Sequence, residues 1–164
     1  MSQPKLQLSK YFFVNVFVVA NINHRHDDKD KMVCNFKINS NLGVNKDNEN
    51  NFQLQLDITT DPEESANQSY DIAVSVVGYF EVAPDFGDKK KLVAVNGASI
   101  LYAAARDFIL SITSRGPWPA VMIPTFSFLT AKDHVEEKKE PEESQLSSPE
   151  PAEKKRKTKK QPPK

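Results

Sequence analysis

Alternation of apolar and polar residues runs through the first half of the chain and predicts strands. In MVCNFKINSNL, Met32, Cys34, Phe36, Ile38 and Leu42 share one side of an extended backbone, with Asn35, Lys37 and Asn39 on the other. In NFQLQLDIT, Phe52, Leu54, Leu56 and Ile58 oppose Gln53, Gln55, Asp57 and Thr59. In SYDIAVSVVGYFEV, Ile72, Val74, Val76, Phe80 and Val82 oppose Asp71, Ala73, Ser75 and Glu81. The polar segments NKDNENN and TTDPEESANQ separate these runs as hairpin-style connections. The pattern predicts an antiparallel sheet with one dry and one wet face. By parity Cys34 lies on the dry face, a core thiol with no activating base beside it.

YFFVNVFVVANI departs from this rule. Phe12, Val14, Val16 and Val18 point one way, and Tyr11, Phe13, Phe17 and Val19 the other. A strand that is apolar on both sides requires cover on both, from another subunit, the chain's own loop or a ligand.

The period then changes. Over residues 98–114, Ala98, Leu101, Tyr102, Ala105, Phe108, Ile109 and Ile112 recur at helical spacing and form a stripe for the dry sheet face. Asn96 or Ser99 can cap the start, and Gly116 followed by Pro117 ends the helix. Ile100, Ala103, Ala104 and Leu110 leave the opposite side small and weakly polar. That side suits a second helix in close approach, or is simply an alanine-rich exposed face. Next comes SRGPWPAVMIPTFSF, residues 114–128, an irregular segment with three prolines and a glycine. It carries Trp118, Met122, Ile123, Phe126 and Phe128, which is more apolar bulk than a loop can leave without purpose.

Composition divides the 164 residues into a body, 1–131, and a charged tail, 132–164. The tail has only Val135 and Leu146 as large apolar residues, too little surface to offset chain ordering, so disorder is expected. Its charge is segregated: eight acidic and two basic residues over 133–153, then seven basic and no acidic residues over 154–164. A basic terminus can dock on nucleic acid or an anionic membrane, pair with the acidic stretch beside it, or act as a solvated tail. The body offers no basic, aromatic face for reading nucleic acid, so that partner is disfavoured. The single cysteine favours a reducing compartment, and MSQPKLQLSK lacks a signal-peptide layout. No run approaches the ~18 apolar residues of a membrane span, and a cytoplasmic protein without membrane insertion is expected.

Catalytic chemistry is not indicated. His24 and His26 in NHRHDDKDK form an H-x-H pair, but further ligands held rigidly are missing, and both read as loop histidines. Arg106 and Asp107 read as ordinary helix-surface charges. There is no glycine-rich phosphate loop, nucleophile elbow or spaced carboxylate pair. Neither cofactor nor metal is expected.

ILYAAARDFILSITSRGPWPAVMIPTFSF resembles the signature of SecB-type export chaperones. That family shows I-L-F-P-Y-x-R in its long helix, then R-G-x-F-P-P and L-P-P-x-N-F. Ile100, Leu101, Tyr102 and Arg106 fall on the first motif. Arg115, Gly116, Trp118 and Pro119 fall on the second, and Ile123, Pro124 and Phe128 on the third. VVGYFEV (76–82) is similar to the family's G-x-F strand. The chain departs at Ala103, Ala104, Ala120 and Ser127, and the tail begins where the family has a second helix.

The resemblance implies an α+β fold: a four-stranded antiparallel sheet, one long helix packed on it, and a dimer of dimers built through sheets and helices. It also implies an ATP-independent holdase that keeps unfolded polypeptides in apolar grooves, for export or, in some members, for one antitoxin. On this view Phe13, Phe17, Val19, Trp118, Met122, Ile123, Phe126 and Phe128 bind clients. For the loop aromatics the alternative is plain capping of the core. Ile100, Ala103, Ala104 and Leu110 would form an oligomer interface, tetrameric or dimeric. The wet face, with Gln53, Gln55, Asp57, Asp71 and Glu81, corresponds to the face that classical members offer to SecA, though here it is only mildly acidic.

Deleting residues 133–164 should leave folding and chaperone activity nearly intact, because the segment contributes nothing to the core. Unfolding midpoint and suppression of client aggregation, compared with the full chain, check this.

Overall fold

The computed structural model describes residues 4–25, 35–65 and 67–129. Four strands, β1 (Leu6–Ala20), β2 (Phe36–Val44), β3 (Asn51–Thr60) and β4 (Tyr70–Val82), form one antiparallel sheet in the order β1-β4-β3-β2. The predicted α+β architecture is therefore present, with one long helix behind the sheet. Met32, Cys34, His26 and the charged tail from residue 132 lie outside the described residues.

Alternation holds in the two central strands, except that Val77, on the other face of β4, is buried as well. Phe52, Leu54, Leu56 and Ile58 of β3 and Ile72, Val74, Val76, Phe80 and Val82 of β4 are all buried toward the helix. The β2–β3 connection is tightened by side-chain turns, in which Asn45 and Asn48 accept the amides of Asp47 (2.8 Å) and Asn50 (3.0 Å). In the edge strand β2, Phe36, Ile38 and Leu42 are only half-buried.

Strand β1 does not keep a single parity. Its pairing with β4 slips between Leu8 and Lys10 and again between Phe13 and Asn15. Each slip inserts a residue without a partner and exchanges the faces of everything beyond it. Tyr11, Phe13, Val16 and Val18 consequently pair with residues of β4's helix-facing row, from Gly78 to Ile72, while Phe12, Phe17 and Val19 pair with the opposite row. The simple alternation read from the sequence, with Phe13 beside Phe17 and Val19, is corrected by the second slip. The Phe13 ring stacks on Phe108 of the helix, with centroids 4.1 Å apart and planes at 21°.

The helix also starts earlier than its stripe predicts. It comprises α1 (Lys89–Leu92), a π-helical turn (Val93–Gly97) and α2 (Ala98–Thr113). Neither Asn96 nor Ser99 caps it. Asp88 does, accepting the Lys91 amide at 3.0 Å, and the Ser99 hydroxyl donates to the Val95 carbonyl inside the helix. Lys89 ties this start to the β2–β3 turn by donating to Asn50 Oδ1 at 2.8 Å. By length and composition the 25 residues Lys89–Thr113 could cross a membrane, but Leu101, Ala105 and Ile109 are fully buried within the domain.

Helix and sheet meet over glycine. A Cβ on Gly78 would lie 2.8 Å from Leu101 Cδ2 and 2.9 Å from the Phe80 ring. A Cβ on Gly97 would lie 3.2 Å from the same ring. The two glycines thus let the helix settle on β4 around Phe80.

Asp61 is only 3% exposed, yet it is charged. Lys37 Nζ lies 2.9 Å from its carboxylate, and the Glu63 amide donates to it at 3.1 Å. The Lys37 hydrogen bond is the main reason its carboxyl sits below the usual carboxylate range, against the opposing effect of burial. A value lower in the folded than in the unfolded chain stabilises the fold above the ordinary Asp value. That stability is lost as pH falls through the folded-state value. Asp61→Asn should lower the unfolding midpoint at neutral pH, and the gap to the unsubstituted chain should close on acidification below about pH 3.9. Thermal unfolding scans across pH read this directly.

Candidate functional site

The segment after α2 is irregular because three of its residues, Pro117, Pro119 and Pro124, have no amide to donate. It is nevertheless anchored, by side-chain hydroxyls. The backbone amides of Ser114, Arg115 and Gly116 close the helix end by donating hydrogen bonds to the Leu110, Ile112 and Thr113 carbonyls. The Tyr70 hydroxyl accepts the Trp118 amide at 3.1 Å and lies 3.0 Å from the Trp118 carbonyl and 3.2 Å from the Thr113 carbonyl. The Thr113 hydroxyl accepts the Val121 amide at 2.9 Å while donating to the Ile109 carbonyl at 2.8 Å. Further along, the Tyr102 hydroxyl donates to the Pro124 carbonyl at 2.6 Å. Burial raises the Tyr102 phenol above its ordinary value, with Arg106 partly offsetting this, so it remains a proton donor.

These anchors divide the loop's apolar residues. Ile123 is fully buried and Phe128 is 7% exposed, so both are core residues of the monomer. Phe128 packs edge-on against Tyr102 and Phe126, with centroids at 5.8 and 4.9 Å. Met122 and Phe126 remain open, at 61% and 40% exposure. Trp118 is half-buried near the end of β1, where its indole donates to the Asn21 carbonyl at 3.1 Å. Its ring meets His24 edge-on at 4.9 Å. His24 is not the flexible loop histidine that its surroundings in the sequence suggest. It is buried, with Nδ1 at 2.8 Å from the Asn67 carbonyl; that oxygen can only accept, so Nδ1 carries the proton. Among the described residues no group of His, Cys, Asp and Glu is arranged to hold a metal.

The eight residues singled out for client contact therefore occupy separate places. Phe17 and Val19 are open on the face of β1 away from the helix, Phe13 is under the helix flank, and the loop residues split as above. Phe12, Val14, Val16 and Leu129, which sequence reasoning did not select, are also exposed. The signal for the three β1 residues was present in the doubly apolar strand; only the slips assign their faces.

Gln53, Gln55, Asp57, Asp71 and Glu81 do share the open sheet face. Gln55 donates to Asp57 at 3.0 Å and Gln68 donates to Asp71, so two of the three carboxylates already have amide partners. Asp71 and Glu81 stand near opposite ends of β4. On the helix, Ile100 and Ala103 are exposed and Ala104 and Leu110 half-buried.

The family described as preprotein translocase subunit SecB matches residues 1–135. The chain belongs to the SecB family. It is similar, at 27% identity over 137 residues, to an uncharacterized protein of Methanocaldococcus jannaschii, an alignment covering 82% of this chain and 87% of the relative. Its fold is similar to that of a Mycobacterium tuberculosis SecB-like chaperone solved with a peptide from the HigA1 antitoxin. The TM-score is 0.57 at 9% identity, over 74% of this chain and 91% of that one. SecB is a family of chaperones and not of enzymes, so the function of the chain is chaperoning. The SecB-type glycines have physical reasons here: Gly78 admits Leu101, and Gly116 admits the Tyr70 hydroxyl, which any Cβ would overlap.

Phe128→Ser should destabilise the domain by about 3 kcal/mol and Ile123→Ala by about 2–5 kcal/mol, as buried residues do. Met122→Ser should cost under about 0.5 kcal/mol, because the side chain is open to solvent. Denaturant unfolding of the three variants separates core from surface.

Proposed function

We propose that this SecB-family chain is an ATP-independent holdase that retains unfolded or non-native polypeptides by weak, repeated apolar contacts and releases them without chemistry. The observation that carries this reading is the large apolar surface left open on β1 and the loop. Val14 is 55% exposed, Phe17 50%, Val19 46%, Met122 61% and Leu129 71%. Exposed apolar surface on this scale marks a place for another polypeptide. Methionine and aromatic side chains re-pack around unlike sequences, which suits a chaperone without a fixed partner. At ~25 cal/mol per Å2, a few hundred Å2 of client surface contributes several kcal/mol before ordering costs, enough for reversible retention.

Part of this surface serves assembly in the proposal. A second copy, in a dimer or tetramer, covers the edge of β1 and the helix side bearing Ile100, Ala103, Ala104 and Leu110, and clients use what stays open. Service in export, in the cytoplasm, is the first reading of the biological role. The second is care of a single antitoxin, favoured by the fold's likeness to a chaperone solved with an antitoxin peptide. Dispersed carboxylates, two of the three paired with amides, make the open sheet face a weak dock for SecA. Titration with SecA separates the roles, since export predicts binding.

Met122→Ser combined with Phe126→Ser should weaken suppression of aggregation of an unfolded client roughly tenfold, with a loss of stability of about 0.5–1.5 kcal/mol from the Phe126–Phe128 contact. The assay contains no nucleotide. Undiminished suppression by this variant would remove the loop from the client surface, and a requirement for ATP would overturn the holdase reading.

A further inference from the structure

We infer that Tyr70 is the positioning residue for residues 116–120, the stretch that carries Trp118, and that Gly116 exists as glycine to admit its hydroxyl. The link to client retention rests on the holdase reading above. The positioning itself does not.

Tyr70 is the first residue of β4 and is 3% exposed, so its ring belongs to the core. Its hydroxyl, however, serves backbone 43 to 48 residues away, at the end of α2 and the first turn of the loop. A phenol can accept and donate at once. Here it takes the Trp118 amide and gives its one proton to the carbonyl of either Thr113 or Trp118. The same hydroxyl thus joins the last helical residue to the loop and holds both to the sheet. With Pro117 and Pro119 on either side, the Trp118 amide has no neighbouring donor to share its role.

Gly116 completes the seat. A Cβ there would overlap the Tyr70 hydroxyl and approach ring carbons Cε1 at 2.9 Å and Cζ at 3.0 Å. Any side chain at 116 must therefore push the loop from Tyr70 or displace the phenol. Downstream, the loop is tied at Val121 by Thr113 and at Pro124 by Tyr102. Loss of the Tyr70 contact loosens the stretch from Gly116 to Ala120, which keeps the Gly116 amide on Thr113 and the indole on Asn21, and leaves the following anchors in place. Trp118, half-open and among the residues proposed to meet clients, is then held less firmly beside the end of β1, while Met122 and Phe126 keep their places. A surface that must be ordered as it binds retains clients less well than one already in place.

The test uses the full chain with Tyr70→Phe, which keeps the ring and removes the hydroxyl. Cooperative unfolding should persist. Amide exchange at Trp118 should quicken about fivefold, and emission of Trp118, the single tryptophan, should shift to the red with greater access to acrylamide. Client affinity should fall about fivefold. Gly116→Ala should produce the same loosened tryptophan in a chain whose Tyr70 is intact. Its added effect should shrink in the Tyr70→Phe background, because the nearest atom it overlaps is gone while the ring carbons stay. Unchanged Trp118 exchange and emission in Tyr70→Phe would overturn the inference, as would an equal effect of Gly116→Ala in both backgrounds. A loosened Trp118 with full client affinity would sustain the positioning role and instead remove Trp118 from the client surface.

Discussion

The approach of the long helix to β4 governs the rest of the domain. Leu101 rests over Gly78, and the Phe80 ring sits against Gly97, so the helix lies closer to the sheet than any side chain at either position would allow. Close packing brings dispersion contacts to their optimum, and a gap of even half an ångström would forfeit part of them. It also explains a glycine in mid-helix, which on propensity alone costs about 1 kcal/mol against alanine. Once the helix is seated, Tyr102 and Thr113 are aimed at the segment that follows it.

That segment illustrates how irregular backbone survives next to a core. Buried amides and carbonyls require partners, and prolines here reduce the number of donors while preventing a ladder. Tyr70, Thr113 and Tyr102 supply hydroxyls in the missing places. The result is a loop that buries Ile123 and Phe128 yet keeps Met122 and Phe126 at the surface. Core capping, one of the two alternatives posed for the loop, describes Ile123 and Phe128, while Met122 and Phe126 are left open for the client contact proposed.

Strand β1 is the complementary case. It is an edge strand of 15 residues, and Tyr11, Phe12, Val14, Val16, Phe17 and Val19 are all exposed along it. An edge with free backbone groups and apolar side chains on both faces is a liability in an isolated domain. Under the holdase proposal, the same features are what self-association and client contact would use.

Hydrophobic period alone located the four strands, the stripe of the long helix though not its start, the antiparallel sheet and the core rows of β3 and β4, because side-chain parity is a local property of extended backbone. The motif from Ile100 to Phe128, with Gly78 and Phe80, determined the family. Tertiary structure decided the rest. Two slips in β1 send Phe13 beneath the helix and leave Phe17 and Val19 outside, and no local pattern announces them, since both sides of the strand are apolar. His24 is drawn into the core by Asn67 and Trp118, partners 43 and 94 positions away along the chain. The split between Ile123 and Met122 likewise depends on hydroxyls from β4 and α2. Parity is written in neighbours along the chain, but burial is decided by residues that meet only after folding.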